Sequence, residues 1–270
     1  MIPIVPFDDS HLADGVRLSQ QAGWPHRRED WALVLSISTG VAALDAEGRV
    51  VGTAFCSAFG DRAALNMIIV DAALRGQGLG RRLMEAVIAL AGDRALSLVA
   101  TPEGRPLYEK LGFAATDEIV QHQGEVVRHL PPPGLPVRTG GADDLDRIAA
   151  MDRAATGADR RALLTRIAAS GRILMAEGGF AMLREFGRGT VLGPLAADTP
   201  LTARALIAAA AQGMPGRFLR IDTRPGLGLG PLLQEIGLPH VGGGTEMHRG
   251  PAPRRDNSFT THALASQALG

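Results

Sequence analysis

Two stretches of this chain match two others farther along, in the same order and at nearly the same spacing. Gly52 to Asp71 aligns without a gap on Gly179 to Asp198, an offset of 127 residues, with Phe59-Gly60 falling on Phe186-Gly187 and Ala54 on Ala181. Pro106-Leu107-Tyr108-Glu109-Lys110-Leu111-Gly112-Phe113 falls on Pro231-Leu232-Leu233-Gln234-Glu235-Ile236-Gly237-Leu238 at an offset of 125. Chance could supply one matched octet. Two in register imply a tandem duplication, so the second half should adopt whatever fold the first adopts. The 270 residues suffice for two domains of ordinary size.

Leu130-Pro131-Pro132-Pro133-Gly134-Leu135-Pro136 can continue neither a helix nor a central strand. The expected division is a first domain over 1–130, a linker over 131–136, a second domain over 137–250 and a C-terminal tail over 251–270, polar and irregular to Ser258 and then apolar enough that it could dock on the body. In the first half, helices are expected over 9–22 (capped by Asp9 or Ser10), 28–36, 79–91 and 104–111. Strands are expected over 41–45 and 50–57, hairpinned around Ala46-Glu47-Gly48, then over 63–70, 95–100 and 124–129. The second half repeats the order, with helices near 142–153, 158–169, 200–212 and 229–236 and strands near 172–176, 179–184, 189–196 and 217–222. Gly242-Gly243-Gly244 reads as a loop before a short last strand. Helices alternating with a mostly antiparallel sheet make each half an α/β (α+β) sandwich.

Composition excludes several classes of partner. The formal net charge is zero, so nothing favours a nucleic-acid surface. No apolar stretch approaches the ~20 residues of a membrane helix. The N-terminus lacks the basic start and long apolar run of a signal peptide. Cys56, the one cysteine, excludes an internal disulfide framework, and a reducing, cytoplasmic setting is the expectation. No metal is expected.

The chemistry concentrates at residues 66–80, where an apolar strand runs into Arg75-Gly76-Gln77-Gly78-Leu79-Gly80 and a helical pattern follows at once. Such a turn aims free backbone N–H groups at one point, with the positive end of a helix dipole behind them, and so suits a phosphate. The spacing is wrong for the dinucleotide G-x-G-x-x-G, and the Gly-Lys-Ser/Thr of a Walker loop is absent. A purely structural turn, with glycine used for positive φ, is the bland alternative.

Arg75-x-x-Gly78-x-Gly80, five residues after Val70, resembles the acyl-CoA pyrophosphate loop of the GNAT acetyltransferase superfamily. The Arg105 to Phe113 segment, with its Tyr-x-x-x-Gly-Phe, resembles that family's second motif. The resemblance implies two tandem GNAT-like domains, with acetyl-CoA as acyl donor. It implies that N–H groups from Gly76 to Arg81 (through Gln77, Gly78, Leu79 and Gly80) bind the diphosphate, that Arg75 fixes the loop, and that the backbone of Ile68, Ile69 and Val70 holds the acetyl group and pantetheine. It implies that Tyr108 protonates the departing thiolate, which a phenol of pKa ~10 can do. A packed tyrosine on an amphipathic helix is the alternative. The repeat bears on that choice, since Leu233 meets the same packing need without a hydroxyl.

The chain departs from the family pattern in two places. Thr101 stands near where many members have an asparagine that contacts CoA. Asn66 and Met67 stand where some have a carboxylate base, and neither is basic. Trp24 and His26, in the loop between the first two helices, could border the acceptor with Asn66, and His26 could act as base. His122 and Gln123 are weaker candidates. Cys56 reads as a buried strand residue. In the second half Arg75, Gly78 and Gly80 become Thr202, Ala205 and Ile207, so that copy reads as degenerate and without catalysis.

The expected function is direct transfer of an acetyl group from acetyl-CoA to the primary amine of a small molecule, by a monomer or homodimer with no nucleic-acid or membrane partner. Two alternatives stay open: a non-catalytic acyl-CoA-binding or regulatory module, and a protein N-acetyltransferase.

Overall fold

The computed structural model describes residues 2–128, 130–131, 134–252, 256 and 258–270. The chain divides into two compact units, Met1–Leu98 and Val99–Gly270.

In the first unit the strands are β1 (Ile4–Pro6), β2 (Thr39–Leu44), β3 (Val50–Phe59), β4 (Arg62–Val70) and the beginning of β5 (Ala95–Ala100), paired in that order. Helices α1 (Leu12–Gln21) and α2 (Arg28–Leu35) precede β2, and α3 (Leu79–Ala91) joins β4 to β5. The β2–β3 turn is tied by Asp45, whose carboxylate accepts the N–H of Glu47 at 3.1 Å and of Arg49 at 2.8 Å. Gly52 of β3 faces Leu83 of α3, whereas Phe55 meets Trp31 of α2, so helices cover both faces of the sheet. Phe7, Trp31 and Phe55 form an aromatic cluster with ring centroids 4.9 to 5.7 Å apart. Trp31 is fully buried and donates its indole N–H to Ser19 Oγ at 2.9 Å.

The second unit carries α4 (Arg105–Lys110), β6 (Ala114–Glu125), β7 (Arg138–Thr139), α5 (Leu145–Thr156), α6 (Arg161–Ser170), β8 (Arg172–Ala176), β9 (Gly179–Phe186), β10 (Gly189–Ala197), α7 (Pro200–Gln212), β11 (Phe218–Thr223), α8 (Gly230–Glu235), β12 (His240–Arg249) and β13 (Thr260–Ala263). Its strands pair in the order β12-β6-β11-β10-β9-β8-β7, with β13 on β10. Leu206 and Ile207 of α7, Leu233 and Ile236 at α8, and Leu219 and Ile221 of β11 share one buried core. The compact boundary falls before β6 because β6, from the first repeat, pairs antiparallel with β11 on one edge and β12 on the other, both from the second repeat.

Four expectations need correction. The strand expected at 124–129 is β6 at Ala114–Glu125, and His129 lies outside the described residues. Asp117 and Glu118 of β6 find partners from β12 and from just after β11: Arg224 approaches Asp117 at 3.3 Å and Thr245 donates to Glu118 at 3.1 Å. The triple glycine is inside β12 rather than a loop before it. A Cβ at Gly243 would run into the Ile119 carbonyl of the paired strand, so close approach explains glycine there. The segment expected as a tail contributes β13. The helical stretch expected from residue 9 starts as a 3-10 turn (Asp9–His11) that leads into α1, and Asp8 caps that turn by accepting the Ser10 N–H at 2.9 Å, rather than Asp9 or Ser10 capping the helix. In the proline-rich stretch, Pro132 and Pro133 lie outside the described residues, as does part of the polar segment after Gly250.

Candidate active site

The turn after β4 has the geometry of an anion cradle. Gly76 and Gly78 stand at φ +77° and +81°, conformations that a side chain strains. A Cβ at either would meet nothing within 4 Å, so the space in front of the turn is open. Among the described residues, the N–H groups of Gly76, Gln77, Gly78, Leu79, Gly80 and Arg81 find no acceptor within the protein. They sit at the N-terminal end of the 13-residue α3, where the helix dipole adds to their pull on an anion. Arg75 Nε reaches the Val70 carbonyl at 3.4 Å and Gln77 Nε2 the Ala73 carbonyl at 3.2 Å, which ties the turn to the strand before it. This donor set fits a diphosphate.

The strand feeding the turn is split from its neighbour. β4 and β5 pair in parallel only from Arg62–Ala95 to Ala64–Ser97, while β4 continues to Val70. The backbone of Ile69 and Val70 therefore has a ladder to β3 on one side, and none of Ile68, Ile69 and Val70 is paired with β5 on the other. Between these zones β4 bulges, as Thr53 pairs with Ile69 but Phe55 pairs with Asn66. Met67 takes up the extra length at φ +48°, a strained value for a residue with a side chain, and its carbonyl accepts the Thr53 hydroxyl at 2.7 Å.

Tyr108 lies in the second unit, on α4. Its ring is buried, and Gly104 leaves room for it, since a Cβ there would come within 2.9 Å of the ring. Burial pushes the phenol up to about 12. Thr101 starts the same turn and accepts the Gly104 N–H on its hydroxyl at 3.3 Å.

Comparison with known proteins decides the family. Two stretches, 26–131 and 148–260, each match an acetyltransferase (GNAT) domain. The chain is a tandem GNAT protein. It is 27% identical over 229 residues to the uncharacterized N-acetyltransferase YitH of Bacillus subtilis (strain 168), covering 81% of each chain. It is 29% identical over 212 residues to the holothin acyltransferase of Pseudoalteromonas sp. (strain SANK 73390), covering 75% of this chain and 71% of that one. A crystal structure of an acetyltransferase candidate from Pyrococcus horikoshii shares the fold across 100% of this chain and 96% of its own, with a TM-score of 0.85 at 19% identity. The chain is an acyltransferase of GNAT type.

The two GNAT repeats differ at the cradle. In the second, Pro200 supplies no N–H, and Thr199 Oγ1 accepts the Thr202 N–H at 3.2 Å at the start of α7. Thr202 also donates its hydroxyl to Asp198 at 2.8 Å. At this helix start one position has no N–H and another N–H is capped, whereas the first GNAT repeat leaves its set open.

Acceptor-side candidates fall into separate groups. Trp24 and His26 of the first GNAT repeat meet edge to face, with ring centroids 5.8 Å apart, and His26 Nδ1 lies 3.2 Å from Ser19 Oγ. Asn66 belongs to another chain of contacts. Its Nδ2 donates to Ser57 Oγ at 2.8 Å and to the Ala64 carbonyl at 3.3 Å, and Ser57 Oγ is 2.6 Å from Ser38 Oγ. That orientation leaves Asn66 Oδ1 buried with no partner among the described residues. His122 is 3% exposed and engages the Leu238 carbonyl through Nδ1 at 2.9 Å, a structural role. Gln123 accepts from Gln121 at 2.9 Å. Cys56 is buried, and burial raises its thiol pKa, which opposes use as a nucleophile. Sequence reasoning missed the Met67 bulge and the two serines behind Asn66. The bulge arises from pairing with β3, and nothing in Asn-Met-Ile-Ile-Val announces it.

Proposed function

We propose that the chain transfers an acetyl group directly from acetyl-CoA to the primary amine of a small molecule, with the donor held by the first GNAT repeat. The observation that carries this reading is the set of six unpartnered N–H groups at 76–81, following a β4 edge that β5 has left. Those N–H groups would hold the diphosphate, and the backbone of Ile68, Ile69 and Val70 would hold the extended arm. Bound acetyl-CoA supplies a thioester carbonyl whose C–S bond breaks as a C–N bond to the amine forms.

Tyr108 is the proposed proton donor to the departing sulfur. The family motif supports the role, and so does its chemistry: a phenol held at about 12 keeps its proton at neutral pH. Asn66 Oδ1 is the proposed acceptor-side contact. A buried carbonyl oxygen without a donor costs about 1–3 kcal/mol, and an incoming N–H would recover part of that. Trp24 and His26 would border the same substrate. A relative named for one acceptor, holothin, fits an enzyme devoted to one small compound.

One observation favours a second reading. Asn66 and Met67 offer no base on β4, as a non-catalytic acyl-CoA-binding module would have it. Coenzyme A release against a panel of small primary amines separates the two. Transfer predicts amine-dependent release that falls in Tyr108→Phe; tight acetyl-CoA binding with no amine ever consumed would establish the module instead.

A further inference from the structure

The counterpart of the donor edge in the second repeat is not open. At the offset of 127, Ile68, Ile69 and Val70 of β4 correspond to Leu195, Ala196 and Ala197 of β10. β10 parts from β11 as β4 parts from β5: the parallel pairing covers Thr190–Leu219 and Val191–Arg220 and goes no further. β13 runs along the edge so exposed. Leu195 pairs with Ala263, Ala196 with Thr261 and Ala197 with Thr260, all antiparallel.

The other side of the opening is stitched as well. The Leu264 N–H donates to the Asp222 carbonyl at 2.9 Å, and the Thr223 hydroxyl donates to the His262 carbonyl at 2.7 Å. Farther along, Arg184 Nη2 donates to the Ala265 carbonyl at 3.2 Å and Gln267 Nε2 to the Asp222 carboxylate at 3.1 Å. Thr261 to Ser266 are buried without interruption. A Cβ at Gly193 would overlap the Leu264 carbonyl, so β10 itself is shaped to let this segment pass.

We infer that residues 260–265 close the second repeat's acyl-donor cleft, occupying the backbone edge that the first repeat offers to acyl-CoA. The chemistry of the edge explains the substitution. A strand edge left open by a split sheet presents N–H and C=O groups that need partners. The amide-bearing arm of an acyl-CoA can supply them, and so can a β-strand. In the first repeat no strand among the described residues does. In the second the chain's own does, and the capped start of α7 holds no cradle that could compete for it. The chain therefore takes up one acyl-CoA, and its second repeat is a closed module. This inference rests on the donor-site reading of β4.

Hydrogen exchange on the full chain, with and without saturating acetyl-CoA, tests it. Peptides spanning 193–198 and 259–266 are expected to exchange at least about 100-fold more slowly than unstructured chain, equally in both conditions. The peptide spanning 66–71 is expected to slow only when acetyl-CoA is present. Exchange of 193–198 within seconds, or a gain of protection there on adding acetyl-CoA, would overturn the closure. A 66–71 peptide that ignores acetyl-CoA beside a protected 193–198 peptide would instead count against the donor site on β4, while the closure of β10 would stand.

Discussion

Tyr108 and Asn66 are buried polar groups, and Asn66 keeps a carbonyl oxygen without a partner among the described residues. For Tyr108, replacement by Phe keeps the ring beside Gly104 and removes only the proton. We expect kcat to fall about 100-fold or more while the KM for acetyl-CoA changes little. The phenol's pKa is raised by burial to about 12, so the protonated form persists through the assay range. The rate should show no loss near pH 10 that is present in the wild type and absent in Tyr108→Phe; a limb of that kind in parallel pH–rate profiles would contradict the buried-phenol account. For Asn66, replacement by Ala should raise the KM for the amine about 3- to 10-fold, the worth of one hydrogen bond, and leave that for acetyl-CoA unchanged. Equal effects on both constants in steady-state kinetics would show that Asn66 only supports the fold. These candidates were legible to different degrees. Tyr108 stands in a recognisable local motif. The partnerless oxygen of Asn66 depends on Ser57, nine residues away on the paired strand, and no local reading supplies it.

Among the elements, the turn and α3 were readable because their signals are local: two glycines at positive φ, then apolar residues at helical spacing. The β4 bulge and the course of β6 were not, because partners on other strands create them. Gly78→Val should raise the dissociation constant for acetyl-CoA at least tenfold, since the new side chain strains the turn and fills the space before it. Farther along, Glu246 on β12 joins Arg224, just after β11, through contacts of 2.9 to 3.0 Å. Burial alone would push its carboxyl up, but the His248 hydrogen bond and the Arg224 guanidinium outweigh that and hold it at about 2. A pKa depressed on folding contributes stability above the ordinary value of 4.5 that is lost as pH falls towards 2. Glu246→Gln should therefore cost about 1–3 kcal/mol near neutral pH, with the deficit in Tm narrowing as pH falls below 4.5 and closing only towards pH 2. Thermal unfolding across that range checks it, and a deficit independent of pH would contradict the pairing.

At the scale of the whole molecule, the duplication was the most legible feature, carried by matched octets at nearly constant offsets. How the copies share their strands was not. β6 leaves the first repeat to pair between β11 and β12, and β13 lines β10, where the first copy has an open edge. Both are long-range pairings, and β6 was expected at 124–129 and β13 lay in the expected tail because the residues that complete them lie far away. The duplication gives two frameworks of one kind, with a run of open backbone N–H groups and an unladdered edge, among the described residues, in only one. Calorimetric titration of the full chain with acetyl-CoA bears on that claim most directly. The account predicts one site per chain, with affinity reduced at least tenfold by Gly78→Val. Two sites per chain, or a single site indifferent to Gly78→Val, would contradict it.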